Sequence, residues 1–407
     1  MKKPELLVPA GSPEVLKTAV RYGADAVYIG GEAFSLREKA RNATAEELEA
    51  CVRFAHERGV KVYVTANILA HNRDLDEARA YFETLKKAGP DGLIISDPGI
   101  FMTAREVMPE CPVHISTQAN NVNYGTYRFW YAHGVRRVVA GRELSLPEIA
   151  EIRARIPDDM EIEAFVHGAM CVSYSGRCLL SNYLTGRDAN HGACTHPCRW
   201  RYALVEETRP GEYMPIEENE RGSFLFSAKD LCMVGHIPDL LEAGIDAFKI
   251  EGRMKTALYV ATAARAYRNA IDDYCRDPAR YRARIPHYER EVRLGTNRAF
   301  STGFFYGKPS AEDHIYTGEA YRTEAVFIGC VLENDGEGYT VFSQKNRFFR
   351  GDTLEILKPD GENVPCEVLE IRGAGGEAAD SAPHAGERLR VRLSAAPEPG
   401  DILRKTV

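Results

Sequence analysis

The sequence predicts an α/β protein in which eight β/α units form one large domain, followed by a small all-β barrel. Short apolar runs rich in β-branched residues recur after glycine-ended helical segments, as in buried parallel sheets. The seventh and eighth runs are separated by about 80 residues, and from about residue 324 the pattern changes to short strands with turn residues. A chain of 407 residues suffices for two or three domains at about 150 residues each.

The repeating unit is a helix that ends near a glycine, a few small or polar residues, and then a β-branched run. Arg58-Gly59 before Val60 is one example, and glycine permits the left-handed turn at a helix C-terminus. The predicted strands are residues 5–9, 26–29, 61–65, 92–96, 113–117, 137–140, 161–167 and 247–251. Eight such units suit a (β/α)8 TIM-like barrel, whose chemistry lies on the loops after the strands. An open doubly wound sheet is the alternative, because periodicity does not show whether a sheet closes.

The segments between the strands have the pattern of amphipathic helices. Thr44 and Glu47 form a capping box, and Leu48, Val52 and Ala55 then follow at helical spacing on one face. Helices of this kind cover the outside of the predicted barrel.

The domain division follows these patterns. Residues 1–275 form the (β/α)8 barrel domain, which contains a cysteine-rich insertion at residues 169–232. Residues 276–320, rich in Arg and Tyr near their start, are predicted to be a linker. Residues 321–407 form the C-terminal β-barrel module, with strands predicted at residues 325–332, 339–343, 353–357, 367–371 and 388–393.

Charge and composition exclude several classes of protein. There are 52 Lys and Arg against 59 Asp and Glu, a net charge of −7, so any contact with nucleic acid must come from local basic patches. No apolar run approaches the ~18 residues of a membrane span. The first ten residues lack the apolar core of about 7 or more residues that a signal peptide needs. We therefore expect a cytoplasmic protein with no membrane partner.

Five of the ten cysteines are concentrated in one part of the chain. They are Cys171, Cys178, Cys194, Cys198 and Cys232. Their irregular spacing fits no zinc finger, whereas an iron-sulfur cluster needs only four thiolates that converge in space. Residues 171–202 carry four arginines and one aspartate, and cationic neighbours favour thiolates. A 4Fe-4S cluster is the favoured interpretation; structural zinc and inert buried thiols stay open.

Polar residues at the predicted strand ends are candidates for a catalytic or binding site. They are Glu32, Arg37, Asn67, Gln118, Asn120, His167, Glu251 and Arg253. If the barrel closes, these residues converge on one mouth. Such a mouth suits a small carboxylated ligand, which Arg37 or Arg253 could hold bidentately. Hydrolase chemistry has no specific support, since the sequence contains no Gly-x-Ser-x-Gly motif and no zinc-protease helix.

Residues 163–181 contain a long motif, Glu-x-Phe-x-x-Gly-Ala-Met-Cys, four residues, and Gly-x-Cys-x-Leu-Ser. This motif resembles the signature of the collagenase-like peptidases of unknown catalytic type, family thirty-two. The similarity continues through residues 116–119, 186–190, 197–200, 227–232 and 248–255. It covers most of the chain and includes the C-terminal module.

The resemblance is strongest to those members that make 5-hydroxyuridine at the tRNA wobble position. It implies an oxygen-independent, prephenate-dependent hydroxylation with a 4Fe-4S cluster. By that resemblance the ligands are Cys171, Cys178, Cys194 and Cys232, with Cys198 as a substitute ligand. The C-terminal module is similar to small barrels of translation factors, which is consistent with tRNA binding. Peptidase activity, and an accessory role beside a paralogous partner of another hydroxylase, are the alternative functions.

Overall fold

The computed structural model describes residues 2–36, 40–171, 173–174, 177–200, 203–204, 214–215, 227–310, 313–315, 322–373 and 376–407. The strands of the first part of the chain are β1 (Glu5–Ala10), β2 (Ala26–Gly30), β3 (Lys61–Ala66), β4 (Gly92–Ile95), β5 (Val113–Ile115), β6 (Arg137–Val139), β7 (Glu161–Gly168), β8 (Ala203–Leu204), β9 (Met214–Pro215), β10 (Ser227–Ala228), β11 (Asp230–Cys232) and β12 (Ala247–Ile250). The helices are α1 (Pro13–Arg21), α2 (Ala45–His56), α3 (Asn72–Ala88), α4 (Pro98–Val107), α5 (Tyr124–Ala132), α6 (Leu146–Arg155), α7 (Leu180–Thr185), α8 (Ile237–Glu242), α9 (Ala257–Arg276) and α10 (Pro278–Arg293).

Eight parallel strands, β1 to β7 and β12, form a closed barrel. Closure is visible at Phe248 of β12, which pairs with Leu6 of β1 on one side and with Ala164 of β7 on the other. The (β/α)8 prediction is therefore confirmed, and the open doubly wound sheet is excluded. All eight predicted strands lie within two residues of the observed bounds.

An additional strand pairs with the C-terminal end of β7. Strand β11 runs antiparallel to β7, and Cys232 pairs with His167 in this ladder. Cross-strand Cα atoms in an antiparallel pair are about 4.5–5.5 Å apart. The predicted cluster ligand Cys232 therefore lies beside the C-terminal end of β7.

The predicted linker at residues 276–320 is wrong for its first part, because residues 278–293 form helix α10 and pack on α9. Tyr281 and Tyr288, seven positions apart, are both fully buried on one face of the helix. Their hydroxyls are satisfied: Tyr281 donates to the Val234 carbonyl, and Tyr288 donates to Asp273 Oδ2 at 2.5 Å. A segment rich in Arg and Tyr is predicted to be a polar linker when its tertiary partners are not known.

We expect Tyr288→Phe to lower the free energy of unfolding by about 0.5–1.5 kcal/mol, the usual net value of one hydrogen bond. The loss stays small because Arg280 and Arg284 still pair with Asp273 at 2.8 Å. Urea denaturation followed by circular dichroism measures the change. Tyr183→Phe is the matched control, since the Tyr183 side chain is exposed. A Tyr288→Phe protein as stable as wild type would contradict the assignment of α10 to the folded core.

The remaining strands belong mainly to the C-terminal module. They are β13 (Phe300–Ser301), β14 (His314–Ile315), β15 (Ala325–Asn334), β16 (Thr340–Gln344), β17 (Phe348–Phe349), β18 (Thr353–Leu357), β19 (Val364–Arg372), β20 (Ala378–Ala379), β21 (Ser381–Ala382), β22 (Arg388–Leu393) and β23 (Ile402–Thr406). The antiparallel order β18-β23-β15-β16-β22-β19 returns to β18, so the module is a closed barrel as predicted. Strand β23, which the sequence analysis did not identify, joins β15 to β18 and completes the closure.

The module packs directly on the large barrel. Tyr22, the residue after α1, donates to the Leu357 carbonyl at 2.6 Å. Arg404 of β23 is fully buried between Glu291 of α10, at 3.3 Å, and Glu355 of β18, at 2.5 Å. A buried arginine between two carboxylates couples the two domains, because separating them would leave these charges without partners.

Candidate functional site

The mouth of the barrel lies at the carboxyl ends of the strands, and β7 and β12 approach each other closely there. Gly168 ends β7 with φ +103°, and a Cβ atom at this position would lie 2.4 Å from the Glu251 carbonyl oxygen. Only glycine meets both requirements. This contact brings His167, Glu251 and the cysteine-bearing chain to one place.

Arg253 contacts protein groups of the loop that follows β2. The side chain is buried, and its guanidinium donates to Ser35 Oγ, to the Leu36 carbonyl and to Asn42 Oδ1, each at 2.6 Å. Arg253 therefore fixes the loop that follows β2. The N–H donors of a guanidinium group can bind several acceptors of one loop as well as a carboxylate ligand. The sequence alone does not distinguish these two roles. Arg37 lies outside the described residues.

The amide residues of the mouth are close to one another. Asn67 donates to Gln118 Oε1 at 3.1 Å, which joins the loops after β3 and β5. Asn120 has φ +56°, and its Oδ1 accepts from Arg177 Nε at 2.6 Å. Glu32, by contrast, is exposed at the edge of the mouth.

His167 is enclosed by aromatic rings and is 1% exposed. The ring centres of Tyr259, Tyr267 and Phe300 lie 5.4 to 5.8 Å from that of the imidazole. Neither ring nitrogen has a hydrogen-bond partner among the described residues. Burial, helped by the nearby Lys255 ammonium, lowers the pKa of His167 to about 3. The imidazole is therefore neutral at pH 7, with one nitrogen available as an acceptor.

Glu251 faces a tyrosine and an arginine that the candidate set did not include. Its Oε2 accepts from Tyr28 Oη at 3.5 Å and lies 3.7 Å from Arg142 Nη2. The Arg142 guanidinium also stacks on Phe165, 3.9 Å from the ring centre. Arg142 follows β6 directly and so had a sequence signal, whereas Tyr28 lies within an apolar strand and had none.

The segment of residues 177–200, which we call the cysteine arm, is anchored across the mouth. Its residue Asn190 accepts, through the carbonyl, from the Leu69 amide at 3.1 Å. His191 Nε2 lies 3.2 Å from Asp74 Oδ2 near the start of α3. Together with Arg177 on Asn120, these contacts attach the arm to the loops after β3 and β5. Three of the five clustered cysteines lie on this arm.

The described cysteines offer the thiol ligands that both iron-sulfur clusters and zinc ions use. All ten cysteines are free. Two candidate ligands are adjacent to one strand end, since Cys171 lies three residues after β7 and Cys232 pairs with His167. In the described residues, no three cysteine sulfurs lie within 4.8 Å of one another, whereas sulfurs on one tetrahedral zinc are about 3.8 Å apart. A four-iron cluster also needs four thiolates gathered around one site, at wider spacing than around one zinc ion. Cys178, Cys194 and Cys198 are all half-buried.

Cys232 is the candidate ligand whose protonation state the protein controls most strongly. Burial raises the pKa of the Cys232 thiol to about 11, and hydrogen bonding with Val234 and Tyr267 offsets only part of this rise. The thiol is therefore protonated at pH 7 unless a cation lies against the sulfur. Metal coordination deprotonates a thiol outright, so a cluster and Cys232 fit each other chemically.

The fold and the site together define a class: a (β/α)8 barrel whose mouth is covered by a thiol-bearing arm, followed by an antiparallel β-barrel module. Residues 11–315 match the family described as Peptidase family U32, and residues 323–404 match the Peptidase family U32 C-terminal domain. The chain belongs to peptidase family U32.

Relatives in this family carry two kinds of name. The chain is 42% identical over 405 residues to tRNA hydroxylation protein P1 of Bacillus subtilis, covering 99% of this chain and 95% of the relative. It is 38% identical to tRNA hydroxylation protein P of Escherichia coli, covering 95% and 93%. It is also 34% identical to a protein named Collagenase from Porphyromonas gingivalis, covering 90% of each. In the part of the chain that the structure describes, no helix has the length and apolar character needed to cross a bilayer.

Proposed function

We propose that this protein is a tRNA-modifying enzyme that hydroxylates the wobble uridine to 5-hydroxyuridine, with prephenate as co-substrate and a 4Fe-4S cluster. The observation that carries the proposal is the anchoring of the cysteine arm across the barrel mouth by Arg177 and Asn190. This anchoring supports a site shared by the candidate cluster ligands and the polar strand ends. The names of the Bacillus and Escherichia relatives supply the tRNA substrate.

In this proposal, Cys171, Cys178, Cys194 and Cys232 hold the cluster, and Cys198 is the substitute ligand. The cluster supplies electron-transfer chemistry when it is bound. A dicarboxylate such as prephenate requires cations, and Arg142 and Arg177 are the described arginines whose side chains lie at the mouth. Arg253 holds the loop after β2 in place, which makes it a positioning residue rather than a ligand-binding one.

His167 is suited to accept a hydrogen bond in this site, because its low pKa keeps the imidazole unprotonated. Its imidazole is neutral, and water is excluded from it by Tyr259, Tyr267 and Phe300. The C-terminal module then provides the second surface for a large substrate, since Arg404 pairs with carboxylates of both domains.

A complementation experiment tests the function. We expect the chain, expressed in a Bacillus subtilis strain without its P1 and P2 proteins, to restore 5-hydroxyuridine in tRNA, measured by nucleoside mass spectrometry. Blocking prephenate synthesis in the same strain abolishes the product if prephenate is the co-substrate. Folded, expressed protein that yields no 5-hydroxyuridine would count against the proposal.

Peptidase activity is the second candidate, and the relative named Collagenase favours it. It predicts that purified, cluster-free protein cleaves gelatin with repeated turnover and loses this activity on a single substitution. The accessory role is supported by the two Bacillus paralogues, P1 and P2. It predicts a stoichiometric partner that co-purifies with the chain.

A further inference from the structure

A second group of metal-ligating side chains lies where the cysteine arm meets the N-terminus of helix α3. One donor atom from each of His71, Asp188 and His191 lies within 4.8 Å of the others. The group contains no cysteine and is separate from the thiols considered above. We propose that these three side chains bind one divalent transition-metal ion of the kind that imidazole and carboxylate prefer, such as Zn²⁺.

The two imidazoles lie close enough together to contact one ion. Their ring centres are 5.4 Å apart, and the ring planes are 28° from parallel. With metal–nitrogen bonds of about 2.1 Å, two imidazoles on one tetrahedral ion have ring centres about 5 Å apart. His71 and His191 therefore need little movement to share an ion.

The surrounding charges favour a cation. Asp188 Oδ1 accepts from the Asn190 amide at 2.8 Å, which orients the carboxylate. Asp74 adds a second carboxylate, 3.2 Å from His191 Nε2. The Asp74 carboxylate is itself fixed, because its Oδ2 accepts from the His71 amide at 2.6 Å. The two carboxylates outweigh the arginine beside them, Arg73, which lies 3.7 Å from Asp74 Oδ1. The group is therefore anionic and attracts a cation.

The position of the site gives the ion a structural consequence. His71 and Asp74 belong to the start of α3, whereas Asp188 and His191 belong to the cysteine arm. A bound ion therefore joins the arm to the barrel, three residues before Cys194 along the chain. This inference does not depend on the tRNA proposal, because it concerns how the arm is held and not what the mouth acts on.

Zinc content of the full-length protein tests the site. Metal-free, thiol-reduced protein is equilibrated with Zn²⁺, dialysed, and analysed by mass spectrometry for bound metal. We expect His191→Gln to bind one equivalent less than wild type, and Asp188→Asn to bind the ion at least tenfold more weakly. Asn keeps the capping hydrogen bond of Asp188, so this variant removes charge without removing the turn. His133→Gln, which changes an exposed histidine outside the group, is the matched control.

Zn²⁺ also binds thiols, so the difference between variants and wild type is the readout. A second measurement separates the two kinds of site: Co²⁺ bound to sulfur absorbs strongly, and the equivalent lost in His191→Gln should not reduce that absorbance. We also expect Zn²⁺ to slow hydrogen exchange of residues 177–200 in wild type but not in His191→Gln. Equal zinc content in wild type, His191→Gln and Asp188→Asn would overturn the proposal. If His191→Gln fails to fold, Asp188→Asn and His71→Gln decide the outcome.

Discussion

Cys178→Ala should yield a colourless protein when it is isolated without air, while wild type isolated in the same way is brown. A cluster needs four thiolates, and loss of one ligand removes or strongly destabilises it. Cys178 is half-buried on the anchored arm, and its carbonyl accepts from Asn190 Nδ2 at 3.3 Å, so the arm is held at this point independently of the thiol. Iron and sulfide content, together with the visible spectrum, measure the effect.

Cys51→Ala is the matched control, because it removes one thiol without touching the arm. Cys51 is a buried residue of α2, and burial raises the pKa of its thiol to about 11, so it behaves as a small apolar side chain. We expect this variant to keep both the colour and the iron. Equal spectra for Cys178→Ala and Cys51→Ala would refute the ligand assignment. Comparing Cys194→Ala with Cys198→Ala then shows which of these two thiols is required.

The repeated units of the barrel could be predicted from sequence because each carries its own local signals. Gly59 and Gly89, with φ near +70°, end helices as the pattern predicts. The capping box of Thr44 and Glu47 is present in the structure. Local signals do not predict closure of the sheet. Closure depends on Phe248 pairing with Leu6 and Ala164, which both lie more than 80 residues earlier in the chain.

Elements stabilised by tertiary partners were missed for the same reason. Helix α10 is polar in sequence and is held by Tyr288 on Asp273. Strand β23 contains Arg404, and an arginine in a short strand normally indicates an exposed strand or a tail. Burial of Arg404 is explained only by its partners Glu291 and Glu355. Both cases show charged or hydroxyl groups in the core, where burial is possible only because a partner is present.

Strand ends predicted candidate residues but not the contacts that each one makes. Asn67 and Gln118 are hydrogen-bonded to each other, and Asn120 accepts from Arg177. The Glu251 amide donates to the His167 carbonyl. The pairing of His71 with the cysteine arm had no sequence signal. It arises from a contact between α3 and a loop more than 100 residues later.

Inside the barrel lies a buried ion pair that neither the sequence patterns nor the proposed chemistry requires. Lys249 of β12 donates to Glu163 Oε1 of β7 at 2.7 Å, and the two side chains are 4% and 0% exposed. Arg137 lies 3.6 Å from the second carboxylate oxygen, and His114 lies 3.9 Å from it. Burial and the neighbouring cations lower the pKa of His114 well below its usual value, so this imidazole is neutral. Lys249 is therefore the closest cation to Glu163.

We expect Lys249→Met to lower the free energy of unfolding by about 3–5 kcal/mol, because it leaves a buried carboxylate without its main partner. Glu163→Gln should cost a similar amount by stranding the ammonium. The double variant Glu163→Gln/Lys249→Met should be more stable than the sum of the single losses predicts, since neither charge is then left alone. Urea denaturation of the four proteins gives the coupling energy directly.

The exposed pair of Arg155 and Glu151, 2.9 Å apart on α6, is the control. Both side chains are about half exposed, so we expect Glu151→Gln to change stability by less than about 0.5 kcal/mol. If Lys249→Met is no more destabilising than Glu151→Gln, the interior pair is solvated rather than buried. If the double variant instead loses the sum of the two single costs, Lys249 and Glu163 do not interact. A buried ammonium in a low-dielectric interior is costly unless a carboxylate lies within hydrogen-bond distance. Either result would therefore leave the buried lysine of the barrel wall without a physical explanation.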